Sequence, residues 1–315
     1  MSTLTSHRPS GPAQRRPSGP APYRPSGLTW AVLRLHRTAL YAWGAALLVA
    51  VAALIWMHVI GPDARAAVGD CDASDSFAGD CGIIRETTAD KIYTYGLDQA
   101  AIALTYLMYP VAVWAGAALI GRELESGTAQ LAWTQSVTPA RWLAVKLAVP
   151  AVLLTAGTAL AVPLSEWARD AGNGKLVGGW FNSNVYVSSG PVAVAYALAG
   201  LALGALAGLV LRKALPAAAA ALAAVYVLHS VLDGIRMSLW PTETVSGQAA
   251  LHFPHGALVL ERGAEPSADG RSGLWATYQP ESHFWPLQLV ESGLLLAVAG
   301  LAVVAAFALL RRRHS

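Results

Sequence analysis

Charge is scarce in this chain. Asp, Glu, Lys and Arg together make 13 % of its 315 residues, where soluble domains carry roughly a quarter. Several chemical signatures are missing too. No G-x4-G-K-[ST] loop occurs: Gly121 and Gly127 flank a charged stretch, but no lysine follows at the required place. The chain therefore has no phosphate loop of its own for ATP. No H-E-x-x-H occurs, which excludes the zinc-protease pattern. Cysteine is limited to Cys71 and Cys81, and His252 and His255 read as surface residues, so no metal set is expected. The spacing of the cysteines suits a disulfide in an oxidising compartment.

Long apolar runs are abundant instead. Six are expected to span a membrane as helices, since a bilayer core needs about 20 such residues: Ala39–Ile60, Ala100–Ile120, Trp142–Pro163, Val192–Leu211, Leu215–Leu232 and Leu287–Leu310. The fifth is the weakest, because of Pro216 and its alanines. The fold class expected is an all-α integral membrane protein, with a six-span domain over 28–315. Residues 1–27 repeat Arg-Pro-Ser-Gly and cannot bury a core, which predicts a disordered tail. Leu28–Thr38, with Trp30 and Leu33 among Arg34 and Arg37, predicts an interfacial helix.

Basic residues set the orientation. With the N-terminus inside, inside segments hold Arg8, Arg15, Arg16, Arg24, Arg34, Arg37, Arg122, Arg141, Lys146, Arg212, Lys213 and Arg311, Arg312, Arg313, against only two acids, Glu123 and Glu125. Both termini are therefore expected in the cytoplasm of a multi-pass plasma-membrane protein. The outside loops are then 61–99, 164–191 and 233–286, and no soluble-domain pattern is visible in them. Both cysteines fall in the first.

The span interiors lack carboxylates and, apart from Lys146, basic residues. Lys146 is placed one turn inside the third span, from where it can snorkel to the surface. Ion-coupled transporters usually need buried ionisable groups or broken helices, so uphill transport here would draw its energy from a partner. His229, Asp233 and Arg236 end the fifth span, while Asp98 and Glu291 open the second and sixth. They read either as an outer gate or as helix-end charges at headgroup level. Gly200-x3-Gly204-x3-Gly208 places small residues on one helix face for close packing, within the chain or between two chains.

One inside loop has substance, from Gly121 to Arg141. Thr128 is expected to cap a short helix reaching about Ser136, and Thr138-Pro139 to start the third span. Arg122, Glu123 and Glu125, with Trp133, Thr134 and Gln135, suit docking of a protein. The same helix also suits a lipid surface, with Trp133 and Trp142 in the aromatic belt.

Glu123-x-Glu125-Ser126-Gly127-Thr128, then Leu131-Ala-Trp133-Thr134-Gln135-Ser136, Arg141-Trp142 and Lys146, resembles the loop between spans two and three of type-2 ABC transporter permeases, closest to an actinobacterial branch. Tyr278-Gln-Pro280, Phe284-Trp285-Pro286-Leu-Gln288 and Glu291 are similar to that branch's last span. The resemblance implies that the loop is a coupling helix seated in a separate ATP-binding subunit. Glu123 and Glu125 would make polar contacts there, Gly127 would allow a bend and Trp133 would anchor packing. Arg34 and Arg37 would lie on a connecting helix. Two permease chains would form one export pathway, with ATP and Mg on the partner subunits, no cofactor on this chain and no nucleic acid. The apolar walls suit a lipid-like cargo. The long first outside loop and the Arg-Pro-Ser-Gly repeats depart from the family. Two other readings fit the same topology: a signalling or scaffold protein docking a non-ATPase partner, and a lipid-modifying enzyme using His229, Asp233 and Arg236.

Overall fold

A computed structural model describes residues 34, 37–68, 88–134, 137–172, 178–251, 253, 256–266 and 272–313. The tail over 1–27, most of the interfacial segment, Cys71, Cys81, Gln135, His252 and His255 lie outside the described residues.

Six helical runs are long and apolar enough to cross a membrane. The first is α1 (Arg37–Val68). The second is compound: α2 (Thr88–Tyr106), α3 (Met108–Trp114), a π-helical stretch Ala115–Gly121 and α4 (Arg122–Glu125) follow one another. Pro110 has no N–H for the helical ladder, which accounts for the irregularity at Leu107. After the short α5 (Thr128–Thr134) comes α6 (Pro139–Ala171). A one-turn α7 (Ser183–Ser188) leads to α8 (Val192–Leu211), α9 (Ala214–Ile235) and finally α10 (Phe284–Arg312).

These helices outrun the expected spans except at α8, whose limits coincide. The second run begins at Thr88, so Asp98 lies well inside a helix and not at its start. Polar residues such as Lys91, Thr94 and Asp98 interrupt the apolar run but not the helix. Pro216 occupies the first turn of α9, where its missing N–H costs nothing.

Helix α8 is the most buried of the six and α1 the least. Small residues make α8 central: α10, α3, the π-helical stretch, α9 and α6 all pack around it. The Gly200, Gly204, Gly208 stripe faces the second run within the same chain. A Cβ on Gly200 would lie 2.6 Å from the Met108 carbonyl oxygen, and one on Gly204 would collide with that of Ala112. One on Gly208 would come within 2.8 Å of the Ile120 side chain. Backbones approach here as in other membrane interfaces built on small residues.

Two ends of the bundle differ. At one, called the basic end, the α4–α5 segment, the α8–α9 link and the end of α10 come together. At the other, the segment between α9 and α10 folds into a three-stranded antiparallel sheet of β1 (Glu243–Ser246), β2 (Leu258–Pro266) and β3 (Ser272–Gln279), in the order β1-β3-β2. Val259 pairs with Tyr278 and Glu261 with Thr277, with an irregularity between them. This sheet adds to the helical bundle an element that the sequence reading did not contain. Gln279, fully buried, ties it down by donating to the Met237 and Trp240 carbonyls at 2.9 and 3.0 Å.

Helix α6 also anchors α1 and α2 at the sheet end. Arg65 donates to the Asp170 and Gly172 carbonyls at the end of α6, at 2.9 and 2.6 Å, as a basic cap on a helix C-terminus does. Tyr93, completely buried, donates to the Ala168 carbonyl at 2.9 Å and accepts from the Gly172 N–H at 3.0 Å.

Candidate functional site

The basic end gathers the loop residues. Gly127, at φ 75°, turns the chain between α4 and α5 in a region that side chains rarely adopt. Thr128 opens α5, and its hydroxyl donates to the Glu123 carbonyl at 3.3 Å; it does not cap the helix. Helix α6 starts as its sequence implies. The Thr138 hydroxyl accepts from the Arg141 N–H at 3.3 Å, with Pro139 in the first turn.

Lys146 does not snorkel. It is only 2 % exposed and its ammonium donates to the Leu119 carbonyl at 2.9 Å and to the Glu123 carboxylate. The Glu123 carboxylate and the Leu119 carbonyl, which lies in the π-helical stretch, together hold the ammonium inside the bundle. The other Glu123 oxygen accepts from the Trp142 indole at 3.3 Å. Trp133 meets Trp142 edge to face, with ring centroids 5.6 Å apart. Glu125 accepts from the Ala214 N–H at 2.9 Å, placing a carboxylate at the N-terminus of α9, where it is stabilised by the unsatisfied N–H groups. Arg313 closes the same end by donating to the Leu209 carbonyl at 2.8 Å.

Two carboxylates expected to face a partner therefore face the chain itself. Glu125 stays exposed nonetheless; Arg122, Ser126, Thr128, Gln130, Thr134 and Arg141 are exposed with it, and Leu131 is 62 % exposed on α5. The result is an α4–α5 segment tied to α6, α9 and the π-helical stretch chiefly through α4, with α5 presenting one large apolar side chain among polar and basic groups. Such a surface suits docking. It offers no nucleophile paired with a base.

At the sheet end, Arg236 and Glu291 form an ion pair at 2.8 Å, with side chains 2 % and 0 % exposed. Arg236 also donates to Asp233 at 2.7 Å and to the Ser183 hydroxyl at 3.1 Å. Its guanidinium stands 4.5 Å from the Tyr186 ring centroid. Tyr196 donates to Glu291 at 2.8 Å. His229 stands apart from the ion pair, with Nδ1 3.3 Å from the Tyr109 hydroxyl and its ring edge-on to Tyr196. Of the residues grouped from sequence, Asp233, Arg236 and Glu291 are thus one network and His229 belongs to an aromatic cluster. Ser183, Tyr186 and Tyr196 were missed. The tyrosines look like ordinary apolar filler in a linear sequence, and Ser183 is one hydroxyl in a polar loop. Burial, and next the nearby Glu291 carboxylate, push the Tyr186 phenol far above its usual range.

Among the described residues, no three His, Cys, Asp or Glu side chains converge as a metal site. No curated protein and no solved structure matches the chain. Residues 30–236, which hold five of the six helical runs and the whole basic-end loop, match a family described as ABC-2 membrane transporter related. The chain is a multi-pass membrane protein of the ABC permease class and belongs to the ABC-2 membrane transporter related family.

Proposed function

We propose that this chain is the membrane-spanning subunit of an ATP-driven exporter in the plasma membrane, its termini and basic end in the cytoplasm. The observation that carries this is the clamped α4–α5 loop. It is tied to three parts of the bundle by a few contacts through Lys146, Trp142 and Glu125, yet it leaves Arg122, Leu131 and Arg141 outward. A separate P-loop ATPase binding ATP and Mg would seat on that face, and its closure would push on α6, α9 and the π-helical stretch together. Two such permease chains, identical or sister, complete the transporter. The chain itself holds no ATP. On this reading the chain belongs to an actinobacterial branch of the type-2 permeases, an assignment that rests on the resemblance of its loop and last span, and its apolar walls favour a lipid-like cargo.

Within this reading, α5 is the coupling helix and its contact set is narrower than sequence implies. Glu123 and Glu125 keep the loop in shape, whereas Arg122, Leu131, Thr134 and Arg141 touch the ATPase. Mild-detergent purification of the tagged native protein, with ATP hydrolysis assayed, tests it. A P-loop ATPase in near-equal amount is the expected result. Abundant intact chain without any P-loop protein overturns the reading and restores the scaffold alternative.

A further inference from the structure

A cavity of about 1360 Å³ among the described residues opens at the sheet end between the last turns of α6, the α7 region and the start of α10. It is separate from the Arg236–Glu291 network. Its inner wall is apolar, with Val162, Pro163 and Val194 continuing along the bundle towards the membrane interior. At its mouth stand Trp167, Phe181 and Trp285, all large aromatic side chains that are more than a third exposed. Aromatic rings in this position mark the level where lipid headgroups meet hydrocarbon.

Charge is distributed unevenly around the cavity. Among the described residues, Glu166, Asp170 and Glu281 line it as acids and Arg169 lines it as a base. Arg169 is 8 % exposed. Its Nη1 donates to the Ser189 hydroxyl at 2.8 Å and lies 3.6 Å from Glu166. Its Nε and Nη2, both shielded from solvent, have no hydrogen-bond acceptor, and one Glu166 oxygen has no hydrogen-bond donor. Buried donors without acceptors are rare because each forfeits about 1–3 kcal/mol, more when charged. A guanidinium with two idle nitrogens calls for an anion. Three carboxylates and three aromatic faces a few residues away call for an ammonium group, which is attracted by both.

We infer that this cavity binds the zwitterionic headgroup of a membrane phospholipid, its phosphate diester beside Arg169 and its ammonium among Glu166, Asp170, Glu281 and the aromatic rim. A purely anionic lipid would place its second polar group against the acids with nothing to neutralise them. A purely cationic amphiphile would leave Arg169 unsatisfied. The apolar inner wall takes the acyl chains, which separates a lipid from a soluble zwitterion of the same head. A turn of the Arg169 guanidinium exposes its idle nitrogens to the phosphate.

The test is native mass spectrometry of the full chain purified in maltoside micelles, supplied with phosphatidylethanolamine, phosphatidylglycerol or free phosphoethanolamine. Phosphatidylethanolamine should stay bound in preference to phosphatidylglycerol, and free phosphoethanolamine should not displace it. Arg169→Gln should weaken retention about tenfold, the worth of one charge-assisted contact. Asp170→Asn and Trp285→Ala, both at exposed positions, should weaken it by smaller factors while the unfolding transition stays unchanged, so the inference does not hang on a variant that fails to fold. Equal retention of phosphatidylglycerol, displacement by free phosphoethanolamine, or full retention in Asp170→Asn and Trp285→Ala overturns it.

Discussion

The two ends of this bundle each bury one ion pair, and they do so differently. At the sheet end Arg236 and Glu291 are both closed off from solvent and bind each other along with Asp233, Ser183 and Tyr196. The participants come from α7, α8, α9 and α10, or from just beyond, so the network fastens four parts of the chain. At the basic end Lys146 is equally buried, but Glu123 keeps 13 % of its side chain exposed and belongs to a four-residue helix. Its neighbours on the loop, Arg122 and Leu131, face outward. One end is fixed by many partners; the other is a platform held by few, and a docked protein can push it. The general lesson is that a buried charge pair near a surface element can couple that element to the interior.

The comparison breaks most visibly at Glu291. Replacing it with Gln removes the buried counter-charge of Arg236 and leaves only the partly exposed Asp233, a change expected to cost up to about 3–5 kcal/mol. Denaturation in maltoside micelles, followed by tryptophan fluorescence, should register that loss. The double variant Arg236→Met with Glu291→Leu should recover most of it, since a well-packed apolar pair often matches a buried ionic one. Failure of the single variant to destabilise would show the sheet end to be looser than described.

Lys146→Ala should cost less, about 1.5–3 kcal/mol, because Glu123 can turn to solvent when its partner goes. Its larger consequence should be a drop in transport-coupled ATP hydrolysis while the ATPase remains bound. That separation of coupling from binding distinguishes a transmitting contact from a docking one. Gly204→Val should destabilise by about 1–3 kcal/mol through the collision with Ala112, the usual range for overpacking. It acts on the centre of the bundle, and should therefore lower stability and activity together.

Leu131→Asp sits at the small end of the scale for folding, within about 0.5 kcal/mol for an exposed position. For the partner it should be severe, with the ATPase lost from the purified complex. Pairing it with Arg122→Ala sharpens the contrast, since neither side chain serves the bundle. By the same reasoning Glu125→Ala and Trp133→Ala are poor probes of docking: the first uncaps α9 and the second removes packing from Trp142.

Helix number, the limits of α8 and the start of α6 were legible because apolar length, small-residue spacing and the Thr138-Pro139 cap are local signals. The early start of α2 was not, since Lys91 and Asp98 lower the hydropathy of a helix that tertiary contacts keep. Tyr93 holds that segment to α6 from far away in sequence. The sheet escaped because β1 is only Glu243-Thr-Val-Ser246 and the longer β2 and β3 mix polar and apolar residues. At the loop, the right residues were visible but not their direction. Whether Glu123 points at a partner or at Lys146 depends on how the second and third helical runs pack against each other, which no periodicity announces. The Arg169 cavity was invisible for the same reason, being assembled from three distant stretches of chain.

The most direct measurement is photo-crosslinking in native membranes with a photoreactive amino acid placed at Leu131 in one preparation and at Leu260, an exposed position on β2, in another. A P-loop ATPase joined through position 131 and absent from position 260 is the outcome predicted here. A P-loop ATPase captured at position 260, or none at position 131 with the chain intact, would contradict the assignment of the basic end as the coupling face.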